Sequence, residues 1–242
     1  VRWYALCVFF ALALCMVLAY YRATNTQNIL NGDRVFTRIL DFLLVGLLGL
    51  VVGARLGSLI FYQFSSFVQD PLMLFDYSKG GLSFHGGLLG GLCAVWLYAR
   101  SQSWHFLDLF DAVSPLLPIG LGFGRIGNFI NQEIWGRVTD VPWGMVFPRA
   151  INPVSGLNPP RHPSQLYEAF LEGAVLFVIL WWFSSKPRPR GETSAIFLFL
   201  YGAFRFFVEF FKPLNFHSDV FFFLNWLTIG QFLSIPMIVA GI

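Results

Sequence analysis

Six strongly polar side chains, Arg125, Asn128, Asn131, Gln132, Glu133 and Arg137, fall within the fourteen residues GRIGNFINQEIWGR, 124–137. Spacings of three and four put Arg125, Asn128 and Gln132 on one face of a helix. Arg205 and Glu209 share a face in a later apolar run, and Gln165, Glu168 and Glu172 make a third stripe. His85 follows Ser83-Phe84 at the mouth of another run, and Tyr4 opens the first. Guanidinium forks match phosphate oxygens bidentately, so several arginines around one cavity point to an anionic ligand. Each member alone has a plainer role. Arg205 with Glu209 makes a structural ion pair, the asparagines serve as interhelical glue, His85 as a capped or satisfied histidine, and Tyr4 as an interface aromatic. It is their convergence that carries the inference.

Composition sets the background against which these residues stand out. Hydrophobic residues make up 56% of the 242 and charged residues only 12%, about half the charged share of a soluble domain. The chain reads as an integral membrane protein. A net charge of +3 without a basic tract gives no reason to expect nucleic acid as a partner. Cys7, Cys15 and Cys93 all lie in apolar runs without CxxC spacing or neighbouring histidines, and read as small apolar fillers. HExxH, P-loop GxxxxGK and acidic Mg²⁺ clusters are absent, so no metal and no cofactor is expected.

Seven apolar segments predict an all-α polytopic membrane protein: 3–21, 42–62, 84–99, 109–130, 166–184, 193–211 and 220–242. Pro115, Pro118 and four glycines make 109–130 an irregular helix. The small-xxx-small pairs Gly86/Gly90, Gly87/Gly91 and Gly120/Gly124 predict close helix approach. Arg55 is read as a structural partner of Asp108 or Asp111. Compact basic clusters (Arg22, Arg34 and Arg38; Arg100; Lys186, Arg188 and Arg190) mark the odd-numbered loops as cytoplasmic. The N-terminus is then periplasmic, the C-terminus cytoplasmic, and 132–163 a periplasmic loop. The polar residues of five segments come to one depth below the outer surface. A charge in hydrocarbon costs about 2.5–3.5 kcal/mol on insertion scales, so such a gathering implies pairing or function. The first segment is read as a retained span rather than a signal peptide, because Leu14 is too large for the residue before a processed Cys15. The whole of 1–242 is taken as one transmembrane domain. Val1 in place of Met, and a last span stopping at Ile242, lead us to expect a longer natural chain.

The stretch 124–137 resembles the signature of the prolipoprotein diacylglyceryl transferase family, G-R-x-G-N-F-x-N-x-E-x-x-G, and agrees at every fixed position. Gly80-Gly81-Leu82-Ser83-Phe84-His85-Gly86-Gly87 looks like the family's His-Gly-Gly segment. Arg161-His162-Pro163-Ser164-Gln165-Leu166-Tyr167-Glu168, Gly202-Ala203-Phe204-Arg205 with Glu209-Phe210, and Trp3-Tyr4 also agree with the family.

The resemblance implies a multi-pass enzyme of the bacterial inner (cytoplasmic) membrane. It would move diacylglyceryl from phosphatidylglycerol to the lipobox cysteine of a prolipoprotein signal peptide, among membrane lipids, as the first step of lipoprotein maturation. Glycerol phosphate would leave. On that reading Arg125 and Arg205 hold the phosphate, and His85 takes the proton of the thiol. Asn128, Glu133 and Tyr4 position the head group and the arginines, with Asn128 holding Arg125 and Glu209 holding Arg205. Asn131, Gly136, Glu209 and His162 complete the substrate-binding set. The alternative from another class is a transporter of an anionic solute with a periplasm-facing polar cavity.

Overall fold

The computed structural model describes residues 3–25, 33–75, 83–150, 156–213 and 228–242, with some side chains near the edges of these stretches excluded. Their regular structure is helical: α1 Trp3–Asn25, α2 Asp33–Tyr62, α3 Phe64–Gln69, a 3₁₀ turn Pro71–Phe75, α4 Phe84–Ser101, α5 Phe106–Val113, α6 Leu117–Ile130, α7 Ser164–Glu168, α8 Leu176–Phe183, α9 Glu192–Glu209 and α10 Ile229–Ala240. A π-helical segment, Ala169–Val175, joins α7 to α8 without a break in the helix. Among the described residues, β pairing is limited to the isolated bridges Val138–Arg161 and Met145–Arg161.

Among the described residues, three helices are long and apolar enough to cross a membrane: Trp3–Arg22, Leu40–Ile60 and Ser164–Phe183. A fourth candidate is α5 with α6, bent by 51° where Ser114, Pro115 and Leu116 interrupt it. This is the irregular helix expected of that segment. The expected span 220–242 begins within 214–227, outside the described residues, and α10 covers its remainder.

The chain divides into two compact units, residues 23–109 and residues 1–22 with 110–242. In the first, α2 and α4 meet along glycines. A Cβ on Gly53 would stand 2.3 Å from the carbonyl oxygen of Gly86, and one on Gly90 would stand 2.4 Å from that of Gly49. Four-residue spacing on both helices lets backbone touch backbone, which is how helices bind where lipid removes the hydrophobic drive. The expected Gly86/Gly90 pair is thus in the seam. Arg55, 1% exposed, donates to the carbonyl oxygens of Met73 and Leu74 at 2.5 and 3.4 Å.

In the second unit, α6 crosses the π-helical segment at Gly122 and Gly173, where a Cβ on Gly173 would lie 2.7 Å from the Gly122 Cα. The expected Gly120/Gly124 contact is not the crossing: among the described residues, a Cβ on Gly120 meets nothing within 4 Å and one on Gly124 meets the Tyr4 hydroxyl at 4.0 Å. Helical phase decides this, since Gly122 is the residue turned toward Gly173. Asp111 of α5 caps the start of α9, accepting from the Gly191 amide (2.5 Å), the Ser194 amide (2.8 Å) and the Ser194 hydroxyl (2.6 Å). A carboxylate there also opposes the positive end of the helix dipole. Helix α1 is fastened to this unit along its length. Tyr4 lies on Gly127, the Cys15 thiol donates to the Leu116 carbonyl oxygen at 3.6 Å, and Arg22 stacks on the Trp181 ring at 4.4 Å while bonding Ser184. Cys7 and Cys15 are buried and Cys93 is exposed, each a free thiol.

Candidate active site

Glu168, at the end of α7, is fully buried and draws three cations. Arg205 of α9 donates through Nη1 to its Oε1 at 2.8 Å, and Lys212 Nζ stands 2.7 Å from the same oxygen. Arg125 of α6 approaches Oε2 through Nε at 3.3 Å. Two further carboxylates complete the cluster. Glu209 meets Arg205 Nη2 at 2.9 Å, one helical turn on, and Glu172 lies 4.0 Å from Arg125 Nε. Three cations therefore face three carboxylates. Glu172 is fully buried, and among the described residues neither of its oxygens has a hydrogen-bond partner. The π-helical turn shapes this arrangement. An extra residue per turn between Glu168 and Glu172 shifts their phase, and such segments gather at functional sites.

The arginines are not equivalent. Arg205 spends both terminal nitrogens, one on Glu168 and the other on Glu209. Arg125 comes closest through Nε, and among the described residues it donates no hydrogen bond. Among those residues its planar end is uncommitted, while Nε rests against the carboxylates. Both side chains keep about a fifth of their surface accessible.

Past Arg125 the chain turns sharply. Gln132 and Ile134 both have φ 57°, on either side of Glu133. For a β-branched residue such as Ile134 this left-handed backbone is strained, and strain of this kind persists only where surroundings hold it. Here the holders are visible. Gln165 Nε2 donates to the Glu133 carbonyl oxygen at 2.6 Å, the Ser164 hydroxyl donates to that of Ile134 at 3.2 Å, and Asn128 Nδ2 reaches Glu133 Oε2 at 3.3 Å. Asn128 was expected to hold Arg125; it holds Glu133 instead, and Glu168 with Glu172 holds Arg125. The carbonyl of Asn131 accepts from Arg149 Nη1 at 2.9 Å.

The signature glycines act by proximity. A Cβ on Gly127 would meet the Tyr4 ring at 2.7 Å, and one on Gly136 would meet the carbonyl oxygens of His162 and Phe211 at 2.5 and 2.7 Å. Gly136 is the point where two other segments cross the loop, its amide bonding the His162 carbonyl oxygen at 2.9 Å. The His162 ring is buried against Tyr167 and Phe211, with Nδ1 3.1 Å from the Tyr167 hydroxyl. Burial first, then the Arg137 charge, holds its imidazole below the usual histidine range, with Asp140 opposing.

Thus the structure gathers Arg125, Arg205 and Glu209 in one cluster and places Asn128, Asn131, Glu133, Gly136 and His162 in the loop after it, with Tyr4 alongside α6. The side chain of His85 lies outside the described residues. Sequence reasoning left Glu168, Glu172 and Lys212 out of the site. For the glutamates the signal was present in their stripe with Gln165. For Lys212 it was the three-residue spacing from Glu209 across the end of α9.

A helical membrane protein with a buried cluster of arginines and carboxylates is the class that this fold and site define. The model of the prolipoprotein diacylglyceryl transferase family matches residues 1–242. A phosphatidylglycerol–prolipoprotein diacylglyceryl transferase of Teredinibacter turnerae is 51% identical over 241 residues, covering 100% of this chain and 80% of that protein. Proteins of the same name from Coxiella burnetii (49% identical over 241 residues) and Pseudoalteromonas atlantica (49% over 244) match 100% of this chain, over 88% and 82% of their own lengths. The chain belongs to the prolipoprotein diacylglyceryl transferase family.

Proposed function

We propose that this protein transfers the diacylglyceryl group of phosphatidylglycerol to the thiol of a prolipoprotein's lipobox cysteine. The observation that carries the reading is the family match across the entire chain, joined to an uncommitted arginine fork beside a second arginine. The thiol loses its proton, with His85 as the accepting base. Its sulfur attacks the glyceryl carbon next to the phosphodiester, a C–S bond forms, and the C–O bond to phosphate breaks. Glycerol phosphate departs and carries the charge that was on sulfur. The phosphate monoanion becomes a dianion in this step, so cations beside it bind the transition state more tightly than the donor, and this accelerates the reaction.

Arg125 is the first ligand of the phosphate, through its planar end. Arg205 is the second, and to reach the phosphate it exchanges one of its two carboxylates for it. Tyr4, Asn128, Asn131, Glu133, Gly136 and His162 shape the wall around the head group, and Glu209 holds Arg205. The reaction needs no metal or cofactor, since the phospholipid brings its own leaving group. The whole of 1–242 acts as one transferase domain, in keeping with a family match that covers both units. We further place it in the bacterial inner membrane with seven spans, N-terminus and the 132–163 loop periplasmic and C-terminus cytoplasmic; the basic clusters of the odd-numbered loops support this orientation. The transporter alternative finds no support in relatives that are named as transferases. The test is incubation of purified protein with labelled phosphatidylglycerol and a lipobox peptide. Thioether-linked lipid on the peptide cysteine is expected, and its absence with a folded, lipid-supplied protein overturns the reading.

A further inference from the structure

A cavity of about 430 Å³ opens one turn beyond Arg125. Its walls are Phe129 and Ile130 from the last turn of α6, Gln132, and the loop residues Met145, Val146, Phe147 and Pro148. Phe147 is its buried floor, braced by Phe129 edge-on at 6.1 Å and by the stacked Trp135 ring at 6.5 Å. Met145 and Val146 stand on the exposed rim. The cavity is built rather than incidental. Gln132 keeps its left-handed backbone there, and its side-chain oxygen is tied to the Arg149 amide at 3.2 Å. The loop wall is pinned by the paired Met145 and Arg161 amides and by Asn158, whose Nδ2 donates to the Phe147 carbonyl oxygen at 2.9 Å. None of these lining residues takes part in the arginine cluster.

We infer that this cavity receives an apolar side chain of the acceptor peptide, two to three residues from its cysteine. The inference rests on the transferase reading above and adds to it a peptide-side specificity site. Distance is the first argument. The rise along a helix is about 1.5 Å per residue, so Phe129 and Ile130 lie roughly 6–8 Å beyond Arg125 along α6. An extended peptide advances about 3.3 Å per residue, so a cysteine reacting beside Arg125 delivers its second or third neighbour to the cavity.

Depth is the second argument, and it selects peptide over lipid. Half of the cavity wall is irregular backbone from a loop that carries Arg137, Asp140, Arg149 and Arg161. Lipid-exposed backbone of that kind does not occur at hydrocarbon depth. The donor's acyl chains belong in hydrocarbon, whereas the residues around an acceptor cysteine must leave it to meet the phosphate. The lining is the third argument. Six of its seven residues are apolar, which suits an aliphatic side chain and disfavours a charged one.

The test fills the cavity from its rim, where larger residues leave the fold intact: Met145→Trp and Val146→Trp, each assayed for transfer from phosphatidylglycerol to synthetic lipobox peptides. Two peptides are compared, carrying Leu or Ala at the position under test. Wild type is expected to favour Leu about tenfold in kcat/KM, the usual discrimination of an apolar pocket. The variants should lose that preference and show a raised KM for the Leu peptide, with KM for phosphatidylglycerol unchanged. Unchanged peptide preference in both folded variants overturns the inference. A raised KM for phosphatidylglycerol with unaltered peptide preference also overturns it, by placing an acyl chain in the cavity. Failure of wild type to lipidate either peptide sinks the transferase reading itself, a different result from either of these.

Discussion

Arg125 and Arg205 differ in what they hold before any substrate arrives, and this separates their predicted phenotypes. Removing Arg205 strips Glu168 and Glu209 of close partners. Breaking a buried pair from one side costs about 3–5 kcal/mol, so Arg205→Ala should lower the melting temperature as well as activity. Arg125 makes looser contacts through Nε, so Arg125→Ala should cost mainly turnover, roughly 10²-fold or more, the scale of losing a preorganised donor. Arg125→Lys keeps the charge without the fork and should remain poor. If both arginines act on one phosphate, the double variant loses much less than the sum of the single losses. Transfer rates and thermal unfolding of the four variants check this, and a fully active Arg125→Ala removes the phosphate assignment.

The two buried glutamates are predicted to behave in opposite ways. Glu168 is the common partner of three cations, so Glu168→Gln should unfasten the cluster and abolish transfer. Neither oxygen of Glu172 has a hydrogen-bond partner among the described residues. Glu172 lies 4.0 Å from Arg125 Nε, and Glu172→Gln leaves a neutral amide there, so it should tighten donor binding and lower the KM for phosphatidylglycerol. Steady-state kinetics at varied donor decide it, and a raised donor KM would show that Glu172 is needed to hold Arg125 in place.

Among the helices, glycine contacts give the sharpest contrast. Gly53 and Gly120 both lie within helices. A Cβ on Gly53 runs into the backbone of α4, while one on Gly120 meets no described residue within 4 Å. Gly53→Ala should therefore destabilise by about 1–3 kcal/mol through overpacking. Gly120→Ala should be neutral or stabilising, since alanine is the better helix former by about 1 kcal/mol. Thermal unfolding in one detergent compares them directly. The contrast also marks what was legible in the sequence. Small-residue spacing found the α4 side of the α2–α4 seam but misplaced the α6 crossing, because spacing alone cannot tell which of Gly120, Gly122 and Gly124 faces the partner. The break near Pro115 was readable, since proline removes an amide and clashes with the preceding turn. The π-helical turn was not, because its cause is tertiary: Glu168 and Glu172 are placed by their cations and by the Gly122 contact. For the same reason Asn128 could be put on the face of Arg125, yet its bond to Glu133 needed the strained turn at Gln132 and Ile134.

For the whole molecule, orientation is the prediction with the widest reach. On a background lacking Cys7, Cys15 and Cys93, Leu157→Cys should react with an impermeant thiol reagent on intact spheroplasts, because Leu157 is exposed in the 132–163 loop. Ser185→Cys, exposed beyond α8, should react only after the membrane is opened. The reverse pattern would put the arginine cluster nearer the cytoplasm and remove the proposed acceptor from its reach.

The fastening of α1 bears on how such a chain is assembled. Its bonds to Leu116, Trp181 and Ser184 span 101, 159 and 162 residues of sequence, and its tyrosine rests on Gly127. None of these partners exists when α1 leaves the ribosome. Docking of the helix at these points must wait until α6 and then α8 have been synthesised. Contacts this distant in sequence are slow to close, so docking of α1 belongs among the final events of folding. Until then the groove that seats Tyr4 on Gly127 stands empty.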